Sequence, residues 1–593
     1  MAERKRRLLV MPAAGSGDGM GHLARCLRLA HAAAGEFTFL ASRMDPAARA
    51  FLQQELLRLP VRRRPAVVNR LSAGAAWDII LVDARRTTRA ELEALAGHGR
   101  VVCVDEGGEA RDTASYIIDA LPGLPGRSPP NVSSASFLDL PARARRKVTW
   151  PAGKVLLSFG GEDRDDLSSR LLDAIFRHAL FAPGQLTVVE GPLFRVHDWP
   201  AGVEVLKAPA ELSTHLSRYD LVFTHYGNTA FEALATGVPV ILLSPTRYHD
   251  HLAAASGFPR IGVGSPDIAA LRRVLRDGQA LQGHVDRFNS SLGKDRSDRL
   301  GSLVASLRPR GGPPCPLCGS GGNRVTARFP DRTYRRCHHC GIVYLESFAP
   351  EPRSYGKAYF STEYRAQYGR TYLEDFDSIK AVSTRRVRLV RELIAEGVDG
   401  VVVDIGCAYG PFLSALQDEG IPGYGVDVAP EAVAYVRKKL GIPALCGSFE
   451  DATRANLPRR IAAVTLWYVI EHFVDTDLVL RKAASLLPPG GVLAFSTPNG
   501  RGISARKGMG EFLRRSPSDH FTVFSPHRLD DILAEYGLAL KRVRVTGHHP
   551  ERFPGLLGRA ARRWGAAFRL VGALSRVLGL GDTFEAYAVK ETS

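Results

Sequence analysis

Three sets of residues in this 593-residue chain have the types and spacing to do chemistry. The first is Asp404-Ile-Gly406-Cys407-Ala408-Tyr-Gly410, which follows three valines and leads into an apolar helix beginning near Phe412. Glycines at such a turn let a ligand approach the backbone, and free N–H groups at a helix start favour an acidic or polar ligand edge. One helix later Gly423-Tyr-Gly-Val-Asp427 ends in a carboxylate, which suits the two hydroxyls of a ribose. Loop, helix, strand and acid in this order point to a nucleoside site. The second set is Cys315-Pro-Leu-Cys318 with Cys337-His-His-Cys340, four thiolates spaced to hold one tetrahedral Zn2+. Four thiolates leave no position open for water, so this metal would staple a small module together. The third set lies upstream. Gly19-Met-Gly21-His22 opens an amphipathic helix, and Gly227-Asn228-Thr229 opens another that bears Glu232. Loop amides and the Thr229 hydroxyl could hold a diphosphate, with Glu232 one turn on for a ribose.

The elements that must position these groups are legible in the apolar runs. Leu8–Pro12 reads as a strand, and strands at Phe37–Ala41, Ile79–Asp83 and Val101–Asp105 alternate with helices. After the charged stretch 141–147, a new strand from Lys154 runs into Gly160 and Gly161 and restarts the pattern. Two successive units, each opening on a glycine loop, predict two facing Rossmann-like domains. Arg308-Pro-Arg-Gly-Gly-Pro-Pro314 is rich in breakers and reads as a linker. The length calls for three or more cores. Net charge is +18, which fits either an anionic partner or an arginine-rich genome. No apolar run approaches the roughly 18 residues that span a bilayer. The basic residues 4–7 precede a short strand, not an export signal, so the expected location is the cytoplasm. Eight cysteines in so long a chain do not make a disulfide scaffold.

From residue 380 to about 545 the chain resembles the class I S-adenosylmethionine-dependent methyltransferases, including those of ubiquinone type. The likeness runs through Gly447-Ser-Phe-Glu-Asp451, residues 463–472 ending in Glu471-His472, residues 487–499, and His520-Phe-Thr-Val-Phe-Ser-Pro-His527. It implies that Asp404, Gly406, Cys407 and Gly410 line the methionine end of the cofactor, that Asp427 binds its ribose, and that Glu450 or Asp451 lies near the adenine. His472 or His520 would be the general base, with a structural role for either as the plainer reading. Cys407 reads as a small buried residue and not a nucleophile. Ala408 departs from the glycine that many members have. A four-cysteine module ahead of the catalytic domain is similar to that of sugar C-methyltransferases. A tyrosine-rich stretch at 355–368 would cover the cofactor.

Residues 1–305 resemble GT-B nucleotide-sugar enzymes, most closely the UDP-sugar hydrolase of the pseudaminic-acid pathway. That resemblance makes Gly19, Gly21, Gly227, Asn228, Thr229 and Glu232 nucleotide-sugar contacts and gives His22 a role in water attack, beside a plainer role as helix cap. Ser244-Pro-Thr-Arg-Tyr-His-Asp250-His251 departs from the family's Asn-Gln pair.

The expected fold class is α/β, with a GT-B-like pair of Rossmann-like domains at 1–148 and 149–307. A linker and zinc module follow at 308–350, a methyltransferase domain at 351–548, and a basic amphipathic helix with a final strand at 549–593. Leu557, Ala560, Trp564, Phe568, Val571 and Leu578 recur at helical spacing there, opposite five arginines. That helix either lies on a membrane or an anionic lipid-linked acceptor, or covers the methyltransferase core or a dimer face, and the covering role is favoured. Function is then expected as a bifunctional enzyme of polysaccharide or unusual-sugar biosynthesis. A UDP-linked sugar would be handled in front and a sugar or glycan acceptor methylated behind. The alternative is a methyltransferase whose front half only binds or docks. A zinc-ribbon RNA methyltransferase is disfavoured, because no Asn/Asp-Pro-Pro-Tyr motif follows the fourth strand, and no nucleic-acid partner is expected.

Overall fold

A computed structural model describes residues 5–15, 20–32, 35–122, 124, 128–138, 140–145, 147–191, 194, 197–207, 209, 212–292, 299–308, 314–348, 364–365 and 369–591. It divides into two compact units, Met1–Gly312 and Pro313–Ser593.

The first unit holds two wholly parallel sheets. Runs such as Ile79–Asp83 and Arg100–Val104 are aliphatic at nearly every position and buried along their length, as parallel strands covered on both faces must be. In space the first sheet runs Ala66–Val68, Glu36–Leu40, Arg7–Pro12, Ile79–Asp83, Arg100–Val104, Tyr116–Asp119, Val132–Ser133. Strand order reverses between Arg7–Pro12 and Ile79–Asp83, and a crevice opens at their carboxyl ends. The second sheet repeats the plan, as Glu204–Lys207, Leu186–Glu190, Val155–Ser158, Leu221–Thr224, Val240–Ser244, Arg260–Val263. Its reversal falls between Val155–Ser158 and Leu221–Thr224.

The second unit begins with Asn323–Phe329, Arg332–Cys337 and Val343–Ser347, an antiparallel sheet that Thr522–Val523 completes. Its larger sheet runs Ala444–Cys446, Gly423–Asp427, Val401–Ile405, Ile461–Trp467, Val492–Pro498, Thr583–Lys590, Leu538–Thr546. Five strands are parallel, and Thr583–Lys590 lies antiparallel to both its neighbours. The order turns between Val401–Ile405 and Ile461–Trp467, so the glycine loop opens at the switch point. Buried Cys315, Leu317, Cys337, Cys340 and Tyr344 share one apolar core with Val403, Leu466 and Phe495 of the large sheet.

The end of the chain departs from expectation. Its one long helix is two, Gly555–Arg563 and Gly565–Val577, because Trp564 takes an extended conformation (φ −128°, ψ 124°) before a glycine. The expected core-covering stripe is also overturned. Of its six residues only Val571 is buried, while Leu557, Trp564, Phe568 and Leu578 are exposed. The inner edge is made by Gly558, Ala561, Gly572 and Ser575 beside Val571, small residues that bring the helices close to the 550–553 segment, where a Cβ on Gly558 would meet the Phe553 carbonyl and one on Gly572 would meet Pro550.

Candidate functional site

The second unit builds its crevice from strand ends. Asp404 closes its strand fully buried and accepts a hydrogen bond from Thr465 Oγ1 at 2.7 Å. Burial, which disfavours a charge, pushes its carboxyl up to about 7, and nearby Asp427 adds to the shift. Gly406 follows at φ 68°, and a Cβ there would stand 2.4 Å from Val469, so only glycine fits the turn. Ala408 adopts φ 47°, the region where glycine is at home, which accounts for the glycine expected at this position. Its N–H donates to one oxygen of Asp427 at 2.8 Å and that of Ala429 to the other at 2.8 Å. Asp427 is thus locked across the mouth of the loop with lone pairs left for a diol. Gly410, at φ 80°, caps Pro411–Asp418 and aims that helix start at the crevice. Cys407 is buried and its thiol pushed well up by burial, so it stays protonated. Gly447 donates to the Asp427 carbonyl at 2.9 Å, which brings the 447–451 turn alongside, with Glu450 half-buried and Asp451 exposed. Tyr364, Tyr372, Tyr409 and Tyr435 form a chain of rings over the loop, spaced 5.1 to 6.0 Å. Most of the tyrosine-rich stretch 355–368 lies outside the described residues.

His472 sits one strand further along, after Ile461–Trp467, and its Nδ1 lies 3.3 Å from Asp519. The ring of His520 packs edge-on to it, centroids 4.6 Å apart. Glu471 is fully buried beside them and pushed up to about 7 by burial. Ligand atoms of Glu471, His472 and His520 lie within 4.8 Å of one another, a donor set that could also seat a divalent cation. Both candidate bases predicted from the sequence therefore meet at one point. Asp519 and Tyr468 were missed. Tyr468 holds φ 59°, a strained value for a bulky residue, at the strand end facing the same crevice.

The four cysteines converge as their spacing implied. Cys315 and Cys340 sulfurs are 3.6 Å apart, as are those of Cys318 and Cys337, and all four lie within 4.8 Å. A tetrahedron of thiolates about 2.3 Å from zinc has edges of about 3.8 Å, so the donor set fits that ion. Between the pairs lie two strands and no helix among the described residues.

In the first unit His22 lies at the start of Gly21–Ala32, and its Nδ1 meets Asp83 Oδ1 at 2.6 Å in a buried pair. Arg25 grips the same carboxylate from both sides at 2.7 and 2.6 Å and reaches Asp105 at 2.7 Å. Burial alone would raise the Asp83 carboxyl, yet Arg25 and His22 outweigh it and hold it well below the usual range. In the neutral ring an ionised Asp83 fixes the proton on Nδ1, and Nε2 is then the acceptor. Asn228–Thr236 starts where expected, and Asn228 approaches Gly21 so closely that a Cβ there would lie 3.4 Å from its Nδ2. Glu232 is buried and 3.5 Å from Arg28. Gly19 lies outside the described residues. Asp250 is taken by Arg260 at 2.7 Å and His251 is exposed, while His249 turns toward His225, centroids 6.0 Å apart. Asp83 and Asp105 were not singled out in the sequence, although an acid ending each apolar strand was the available signal.

A family model for a methyltransferase domain matches residues 380–543. The ubiquinone biosynthesis O-methyltransferase of Chromobacterium violaceum is 26% identical over 160 residues, covering 25% of this chain and 68% of that protein. That of Stutzerimonas stutzeri is 26% identical over 186 residues, 30% of this chain and 80% of its own. That of Xanthomonas campestris pv. campestris is 35% identical over 103 residues, 16% and 43%. The chain thus spans between 43% and 80% of the length of these relatives. A solved SAM-dependent methyltransferase from Archaeoglobus fulgidus aligns over 38% of this chain and 98% of its own, at 15% identity and a TM-score of 0.29. The C-terminal part of the chain carries a methyltransferase domain.

Proposed function

We propose that the chain joins two sugar-modifying activities, a methyltransferase behind and a nucleotide-sugar hydrolase or glycosyltransferase in front. For the rear half the carrying observation is the crevice itself, where Asp404, Gly406, Gly410 and Asp427 line one wall and His472 stands at the next strand end. S-adenosylmethionine, bound there, would supply an electrophilic methyl carbon on its sulfonium. Asp427 takes the ribose hydroxyls, Asp404 the ammonium of the methionine end, and the tyrosine rings exclude water. His472, oriented by Asp519, takes the proton from the acceptor hydroxyl or activated carbon as that atom attacks. The O-methyltransferase relatives favour an oxygen acceptor. If Glu471, His472 and His520 hold a cation instead, chelation abolishes turnover of metal-purified enzyme, and His472 serves as a ligand.

For the front half the carrying observation is the His22–Asp83 pair at the start of a helix facing Asn228. His22 Nε2 is poised to accept a proton from water or an acceptor hydroxyl attacking the anomeric carbon. The second reading, binding without turnover, is favoured by the bidentate grip of Arg25, which gives Asp83 a structural reason to be there. Incubating wild type and His22→Ala with a panel of UDP-sugars separates the two. UDP release by wild type, lowered on the order of a hundredfold or more in the variant, supports catalysis. No release by wild type, with UDP-sugar binding retained, leaves the docking reading.

A further inference from the structure

Between Leu538–Thr546 and Thr583–Lys590 the chain leaves the methyltransferase sheet for Gly555–Arg563 and Gly565–Val577. A surface helix ordinarily turns its large apolar side chains to the core. These helices do the opposite, with Leu556 78% exposed, Trp564 60%, Leu570 73% and Val577 84%. Leu570, Leu574 and Val577 recur at i, i+4 and i+7, so they form one outward stripe along the second helix. Arg569 and Arg576 project from another side of the same helix, and Arg559, Arg562 and Arg563 stand exposed on the first. From residue 553 to 581 the sequence contains no aspartate or glutamate. A contiguous apolar face of this kind, left bare and bordered by cations alone, marks a docking surface.

We propose that this helical pair docks the protein on an anionic bilayer surface. The leucine stripe and Trp564 would enter the boundary between headgroups and acyl chains, and the arginines would reach the lipid phosphates. Apolar burial and cationic attraction together supply the two signals that reversible interfacial binding requires. The helices lie on the membrane and do not span it, since no helix among the described residues is long and apolar enough to cross. Charge decides against a second copy of the chain as the occupant. A two-fold contact would set the five arginines of one copy against the same five of the other, with no acid in either patch to offset them.

Flotation of the full-length protein with vesicles tests this. Wild type should float with phosphatidylcholine vesicles containing phosphatidylglycerol, bind phosphatidylcholine alone far less, and be released as salt shortens the range of the attraction. Leu570→Glu and Leu574→Glu should each weaken binding by roughly tenfold or more. Arg569→Gln combined with Arg576→Gln should weaken binding to the anionic vesicles on the order of tenfold. All these side chains are exposed, and circular dichroism of each variant confirms the fold. Failure of wild type to bind anionic vesicles overturns the proposal, as does equal binding by folded Leu570→Glu. A concentration-dependent dimer that Leu570→Glu abolishes, without vesicle binding, overturns it in favour of self-association.

Discussion

Asp404 is the residue whose environment makes the sharpest demand on the proposed cofactor. Burial lifts its carboxyl to about 7, so near neutral pH the empty protein holds a mixture of acid and carboxylate. The charged form is a liability in the fold: this contribution to stability is fully present below the ordinary carboxylate pKa and is lost as pH rises toward 7. A cationic ammonium docking beside it reverses the preference and favours the carboxylate. Binding of S-adenosylmethionine should therefore release a proton below pH 7, and affinity should climb with pH by at most about tenfold per unit up to about 7 and level off above it. Calorimetry in buffers of different ionisation enthalpy reads the proton directly, and Asp404→Asn should bind more weakly with a flat pH response. An affinity that ignores pH in wild type would remove Asp404 from the methionine end. Asp404 and Asp427 were legible because each follows an apolar run and stands beside glycine or a helix start. Asp519 and Asp83 were not, since what matters in them is a partner, His472 or His22, that lies 47 or 61 positions away in the chain and becomes a neighbour only after folding.

At the scale of elements, the four-cysteine module is built into the second unit rather than set beside it. Its strand Val343–Ser347 pairs with Thr522–Val523, Tyr536 Oη lies 2.9 Å from an Asp477 carboxylate oxygen and 3.2 Å from the Leu317 carbonyl oxygen, and Asp477 N–H donates to the Pro316 carbonyl at 3.0 Å. With Cys315, Cys337 and Cys340 in the same core as Val403 and Phe495, a bound zinc would brace the sheet that carries the glycine loop. One zinc per chain is expected by elemental analysis. Stripping it with a strong chelator, or Cys337→Ser, should lower the thermal midpoint of the methyltransferase by roughly 5 °C or more. A metal-free protein with an unchanged midpoint would reduce the cluster to four ordinary buried thiols. Cysteine spacing announced the cluster, but nothing local announced that its core is shared, because Tyr344 and Leu317 read in sequence as unremarkable apolar positions. The terminal helices show the converse failure. Their 3.6-residue periodicity was plain, yet periodicity says which residues share a face and not whether that face meets protein, solvent or lipid.

For the whole molecule, strand succession was legible because parallel strands are buried on both faces and so are written as unbroken aliphatic runs. Which strands would sit side by side was not, since order in a doubly wound sheet is decided by crossovers that leave no mark in any one strand. The division into Met1–Gly312 and Pro313–Ser593 carries a thermodynamic consequence. The core of Leu9, Ile80 and Cys103 and that of Leu157, Phe223 and Ile241 draw only on the first unit, while that of Val403, Leu466 and Phe584 draws only on the second. Units with separate cores unfold as separate cooperative transitions, and a ligand stabilises only the one it binds. Differential scanning calorimetry should resolve two transitions. S-adenosylmethionine at about a hundred times its dissociation constant should stabilise one of them by about 2.7 kcal/mol, and a UDP-sugar should raise the other. Each ligand should leave its neighbour's midpoint within error. A single transition moved by either ligand would mean that the two units fold as one, and both sites would then have to be explained as parts of one coupled machine.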